Sequence, residues 1–211
     1  DWSSDVCSSD LLIPGRKARL AGAKLNLGSG NQLYVSYVNV DIRRDLDVDM
    51  SLDLEKTPWP WPDNYAGEVF LQRSLEHMGA DFKTFEAIMR ELYRVCRPGA
   101  RILIYAKHPW NNAFINDPTC VRVVSPAVMG VFDRATSATM EPQFVAERNK
   151  VDFEIAQRQV TLDEPYRSHL QNGLVSQEEL ARLIDSSLNV CAEFQIELIV
   201  HKPPRTAQPP A

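Results

Sequence analysis

Lys24-Leu25-Asn26-Leu27-Gly28-Ser29-Gly30, followed by Val38-Asn39-Val40-Asp41-Ile42, is the stretch whose reading decides the fold. Leu25 and Leu27 alternate with Lys24 and Asn26 as a short strand does. Gly28-Ser29-Gly30 then removes side chains where the backbone must turn sharply and let a ligand approach. The second apolar run ends in Asp41, a carboxylate at the C-terminal end of a strand, the place from which open α/β sheets grip a ribose diol. Residues 31–37 alone separate Gly30 from that strand, leaving room for about two helical turns or a loop.

Outward from this core, strands and helices alternate, the mark of a mostly parallel sheet wrapped by helices. Leu46, Val48, Met50 and Leu52 alternate with Asp47, Asp49 and Ser51, which predicts a half-exposed strand near a sheet edge. Ile102 to Ala106 is apolar on both faces, as a central strand should be. A helix is predicted from an N-cap at Asp81, burying Phe85, Ile88, Met89, Leu92, Val95 and Cys96 and stopping at Pro98-Gly99. Asp152 to Leu162 and Ala192 to Val200 read as further strands. Between them Ser176-Gln177-Glu178-Glu179 forms a capping box, with Val175 and Leu180 as its hydrophobic staple and Leu183, Ile184 and Leu188 on the same buried face. Residues 107–150, the least regular segment, are expected to overhang the pocket as a substrate cap, and 203–211 to be a disordered tail.

Four motifs in order now carry a resemblance. The Leu27 to Gly30 turn with Asp41 resembles the first motif and second strand of class I S-adenosylmethionine-dependent methyltransferases. Trp59-Pro60-Trp61-Pro62 resembles their proline-aromatic loop, Ser74-Leu75-Glu76-His77 their LEH motif, and Glu91-Leu92-Tyr93-Arg94-Val95-Cys96-Arg97-Pro98-Gly99 their ELxRVLKPGG signature. The likeness runs over roughly residues 20 to 200 and is greatest to small bacterial members acting in glycan or other small-molecule biosynthesis. It implies a Rossmann-like α/β fold with a seven-stranded sheet in the order 3-2-1-4-5-7-6, the last strand antiparallel, and helices on both faces. It also implies S-adenosyl-L-methionine as cofactor and methyl transfer to a small-molecule or glycan-precursor acceptor. By the same resemblance Asn26, Leu27, Gly28, Ser29 and Gly30 wrap the methionine and ribose, Asp41 and Ile42 hold the ribose, Asp53 and Leu54 read the adenine edge, and Ser74, Leu75 and His77 line the other side. Asp117-Pro118-Thr119-Cys120-Val121-Arg122 resembles a DPTHVR motif, with Cys120 in place of histidine.

Composition removes several classes. Asp1 to Leu11 resembles the translation of a common sequencing adapter and is set aside as foreign to the fold, leaving residues 12–202 as one domain. Without Asp1, Asp5 and Asp10, 25 acidic residues face 23 basic ones, so no basic excess argues for nucleic acid. Cys96, Cys120 and Cys191 lie far apart with no CxxC pair, which predicts neither a zinc site nor a disulfide framework and fits a reducing cytoplasm. No apolar run is long enough to span a membrane. The glycine spacing is not GxGxxG, and Met50 and Lys56 stand where a calcium loop starting at Asp45 needs glycine and glutamate.

His77 and His108 are the candidate general bases. Each has a plainer role open to it, His77 as a loop anchor and His108 as a polar turn residue before Pro109. Two rival functions stay open: a non-catalytic S-adenosylmethionine or nucleotide-binding module, and a nucleotide-sugar transferase holding a divalent metal on Asp47-Val48-Asp49.

Overall fold

The computed structural model describes residues 22–137, 139–140 and 144–206. Residues 1–11, expected to be foreign, lie outside them. Seven strands form one sheet: β1 (Ala23–Leu27), β2 (Val38–Asp41), β3 (Met50–Ser51), β4 (Ala66–Gln72), β5 (Cys96–Lys107), β6 (Phe153–Leu162) and β7 (Cys191–Val200). Their order is β3-β2-β1-β4-β5-β7-β6, as the family resemblance implies. Strands β3 to β5 run parallel across β2, β1 and β4, while β7 is antiparallel to both of its neighbours. The reversal of order at β1 and β4 opens a crevice beyond the carboxyl ends of these strands.

Among the described residues six α-helices accompany the sheet: α1 (Phe82–Val95), α2 (Asn112–Ile115), α3 (Pro126–Gly130), α4 (Val145–Asn149), α5 (Tyr166–Gln171) and α6 (Gln177–Ser186). The Asp81 carboxylate caps α1 by accepting from the Thr84 amide at 3.0 Å and the Thr84 hydroxyl at 2.6 Å. The predicted face, Phe85, Ile88, Met89, Leu92 and Val95, is buried in the main core with Leu25, Leu27, Val69, Ile102 and Ile104. The helix ends at Val95, ahead of the Pro98-Gly99 stop, because the chain passes directly into β5 at Cys96. Lys202 closes this end by donating to the carbonyls of Arg94, at 3.0 Å, and of Cys96.

The WPWP segment is held from the same helix. Trp59 and Trp61 are buried edge to face, and Glu91 accepts from the Trp59 amide at 2.6 Å. Arg94 pairs with Glu91 and donates to the carbonyls of Trp59 and Trp61. Two motifs far apart in sequence are therefore one clamp.

Two expectations need correction, and one open choice is decided. The edge strand predicted over Leu46 to Leu52 shrinks to Met50–Ser51, because the Asp49 carboxylate accepts from the Asn39 amide and side chain and takes the place of a strand carbonyl. Leu188 is exposed: α6 stops at Ser186, so the apolar periodicity outruns the helix, while Leu180 packs with Leu162 and Val190. No helix joins β1 to β2; a turn-rich loop does so.

Of the tail expected over 203–211, residues 203–206 are described, whereas 207–211 lie outside the described residues. Arg205 donates to both oxygens of the fully buried Asp152, at 2.7 and 2.9 Å, and to Asp133 at 2.5 Å. Burial works against the Asp152 carboxylate, but the Arg205 guanidinium with the amides of Arg205 and Arg134 outweighs it and holds the carboxyl below its usual range. Arg205→Ala should therefore lower unfolding stability by roughly 3 kcal/mol, the low end for stranding a buried charge since Arg205 is partly exposed. The difference from the parent should be full above about pH 4, where the unfolded carboxyl is ionised, and shrink as acid protonates Asp152 in both states. Denaturant titrations across pH check both statements.

Candidate functional site

At the end of β1 the chain turns through two left-handed glycines, Gly28 (φ +67°) and Gly30 (φ +53°). A methyl group at Gly28 would stand 2.5 Å from the Ser74 side chain, so only glycine lets the loop pass the end of β4. At Gly30 there is space, and only the backbone conformation asks for glycine. The loop is pinned to β2 twice: the Ser29 amide donates to the Val40 carbonyl at 2.9 Å, and the Gly30 amide to the Asp41 carboxylate at 2.8 Å. The other Asp41 oxygen accepts from the Arg43 amide at 3.0 Å. A carboxylate accepts about four hydrogen bonds, so each oxygen keeps one acceptor site for a ligand.

Asn26 supports the loop from below. Its side-chain amide donates to the Gln32 carbonyl at 2.7 Å and to Asn39 at 3.0 Å, and Asn39 accepts from the Tyr34 amide. Asparagine side chains thus do the ordering that a first helix would otherwise do. The buried hydroxyls of Ser29 and Ser74 have no hydrogen-bond partner among the described residues. Unpaired buried polar atoms are costly unless a ligand or water completes them.

Beside this loop lies a cavity of about 770 Å³. Gly28, Gly30, Asp41 and Ile42 line one part, Asp53 and Leu54 another, and Ser74 and His77 a third. Of the residues expected here, Leu27 and Leu75 are instead in the core, and Asn26 and Ser29 stand behind the wall. Asp53 closes a local turn by accepting from the Glu55 amide at 3.1 Å and pairs with Lys56. Arg43, Leu52, Glu55, Arg73, Met78 and Thr119 also line the cavity, and the sequence reading assigned none of them. Arg73 carried a signal only in hindsight, a positive φ at the end of β4.

The two candidate bases part company. His77 lines the cavity, its Nδ1 lying 3.0 Å from the Thr119 carbonyl oxygen and 3.1 Å from the Thr119 hydroxyl. His108 is buried outside the lining, with Nδ1 accepting from the Trp110 amide at 3.2 Å and its ring 4.7 Å from that of Phe194. Burial holds its pKa below the ordinary imidazole value, which favours the neutral, turn-fixing form. Thr119 is brought to His77 because the Glu76 carbonyl accepts the amides of Val121 and Arg122. Arg122 in turn donates to the Gly79 carbonyl and covers the Phe85 ring. Within residues 107–150, Val124, Met129, Phe132, Val145 and Ala146 are packed in the core, while Thr119 reaches the cavity.

Beneath Thr119, a ring nitrogen of His77, an oxygen of Asp117 and the sulfur of Cys120 lie within 4.8 Å of one another. A cation already serves this group: the Lys107 ammonium is 2.6 Å from Asp117 and 3.6 Å from the Cys120 sulfur. Burial raises the Cys120 thiol pKa despite that neighbour. Among the described residues no helix is long and apolar enough to cross a membrane.

No protein-family model matches the chain, and no curated protein does. Solved structures share the fold. An S-adenosylmethionine-dependent methyltransferase from Archaeoglobus fulgidus matches over 86% of this chain and 87% of its own, with a TM-score of 0.57 at 17% identity. The YcgJ protein of Bacillus subtilis matches over 86% and 92%, with a TM-score of 0.51 at 14% identity. The class these define is architectural, a Rossmann-like class I methyltransferase fold with this strand order.

Gly28→Ala and Gly30→Ala separate the two demands made on the loop. Gly30→Ala should cost about 1–2 kcal/mol from the left-handed conformation alone. Gly28→Ala should cost about 1–3 kcal/mol more, through overpacking against Ser74. Denaturant midpoints of both variants check the order.

Proposed function

We propose that this protein transfers a methyl group from S-adenosyl-L-methionine to a small-molecule or glycan-precursor acceptor. The observation that carries the reading is the Gly28 to Gly30 loop, tied by the Gly30 amide to Asp41 and opening on the cavity. Asp41 would hold the ribose diol through its two remaining acceptor sites. Ser29 and Ser74, buried without partners, would complete their hydrogen bonds on the methionine side, and Asp53 with the Leu54 backbone would meet the adenine edge. The cofactor supplies an electrophilic methyl already activated on sulfur. The chain's own task is to orient the acceptor, exclude water and receive any proton released, and His77 is the cavity residue placed for that last role. Residues 107–150 would cap the acceptor side, since Thr119 already reaches it.

The glycosyl-transfer alternative loses support. Asp49 is committed to the Asn39 amide and side chain at 2.7 and 3.0 Å, which turns it toward β2. A near balance of charge outside the first eleven residues likewise supports a small acceptor over a polyanion.

S-adenosylhomocysteine should raise the thermal midpoint, because a ligand bound only by the folded state stabilises it by about 2.7 kcal/mol at one hundred times its Kd. For a chain of this size that corresponds to about 5–10 °C. NAD should give no shift. A shift from NAD with none from S-adenosylhomocysteine would sink the reading.

Calorimetry on Asp41→Ala tests the central contact. Hydrogen bonds to a charged group contribute about 1.5–3 kcal/mol each, so affinity for S-adenosylmethionine should fall at least about tenfold. Asp45→Ala, on the exposed part of the same acidic run, should bind as the parent does.

A further inference from the structure

We propose that Asp117 and Thr119 are positioning residues that fix His77 as its Nδ1–H tautomer and leave Nε2 as the open proton acceptor of the cavity. The hydrogen-bond directions decide the tautomer. Lys107 donates to Asp117 at 2.6 Å, and Lys107 together with Thr119 holds that carboxyl well below its usual range, so Asp117 is an anion that only accepts. It accepts the Thr119 amide at 3.0 Å and the Thr119 hydroxyl at 2.6 Å. The hydroxyl proton is thereby spent on Asp117, and toward His77 the hydroxyl oxygen is an acceptor. The Thr119 carbonyl can only accept as well. His77 Nδ1 faces both oxygens, at 3.0 and 3.1 Å, and must therefore carry the hydrogen.

Among the described residues Nε2 has no hydrogen-bond partner, and the His77 ring lines the cavity. In the neutral imidazole that nitrogen holds the lone pair. Lys107 keeps a role as well, because it holds the Asp117 charge in place.

The inference rests on the proposed function for its chemical consequence. An acceptor whose hydroxyl or amine attacks the methyl forms a new C–O or C–N bond as the C–S bond breaks and leaves its electron pair on sulfur. The attacking atom then gives up one proton, and Nε2 has the lone pair to take it. A protic acceptor, a hydroxyl or an amine, is the class this arrangement fits.

The test uses the full chain with 15N-labelled histidine and two-bond nitrogen correlation spectra, His77 being assigned by loss of its signal in His77→Gln. The ligand-free parent should show a protonated Nδ1 and a bare Nε2 in the neutral ring. Asp117→Ala, which frees the turn carrying the Thr119 carbonyl, should lose that preference; Asp117→Asn, which keeps an acceptor oxygen, should retain it. An Nε2–H ring in the parent, an unchanged tautomer in a folded Asp117→Ala, or a parent signal that a chelator alters would overturn the proposal.

A second arm asks where Nε2 points. Sinefungin carries an amine in place of the transferable methyl, whereas S-adenosylhomocysteine carries nothing there. Once both are shown to bind by calorimetry, sinefungin alone should move the Nε2 resonance. Equal effects, or none from either, would show that His77 does not face the transfer point and overturn its role. If neither ligand binds, the cofactor reading fails, and the ligand-free tautomer decides the positioning claim by itself.

Discussion

One short hydrogen bond carries most of the organisation around the cavity: the Gly30 amide held 2.8 Å from the Asp41 carboxylate. It ties the loop after β1 to the end of β2 in a chain where no helix joins those two strands. With no helix there, this bond and the one from the Ser29 amide to the Val40 carbonyl fix the direction of the loop that walls the crevice. The bond works only because Gly28 lets the loop pass within contact distance of Ser74. Asn26 and Asn39, meeting beneath the loop, take over the burial and the polar pairing that a helix would otherwise contribute.

The opposite wall is built by longer-range ties. Glu91 and Arg94 on α1 clamp the tryptophan loop, and the Glu76 carbonyl draws residues 121 and 122 across the carboxyl end of β5. Arg122 then locks this crossing onto Gly79 and Phe85. Each tie joins a stretch that looks like an isolated motif to a partner from another part of the chain. The ties through Glu76 and Arg122 hold His77 and Thr119 at the same rim as Asp41.

What was legible in the sequence follows that division. The strand, the double glycine and the closing carboxylate are local features, so Gly28, Gly30 and Asp41 could be read directly and all line the cavity. The face of α1 was legible because a long, capped, periodic helix leaves little freedom. Thr119 was not, since it meets His77 across 42 positions of chain and only through the Glu76 carbonyl. Leu188 shows the reverse, where the apolar period ran on past the helix able to use it, while His108 is buried outside the cavity lining. The proline-rich composition after His201 hid a different fact: two cations there, Lys202 and Arg205, find the end of α1 and the buried Asp152.

The strand order has a consequence for how the protein is made. β7 follows the other six strands in sequence, yet it lies between β5 and β6 and pairs with both. Until residues 191–200 have emerged from the ribosome, β5 presents an open edge and β6 has no neighbour to join. Lys202 and Arg205, which seal α1 and Asp152, arrive later still. An exposed central strand is a template for pairing with other chains. Interrupting synthesis before Val200 should thus leave β5 and β6 unpaired on the sides that β7 covers, because the sheet is completed from its middle.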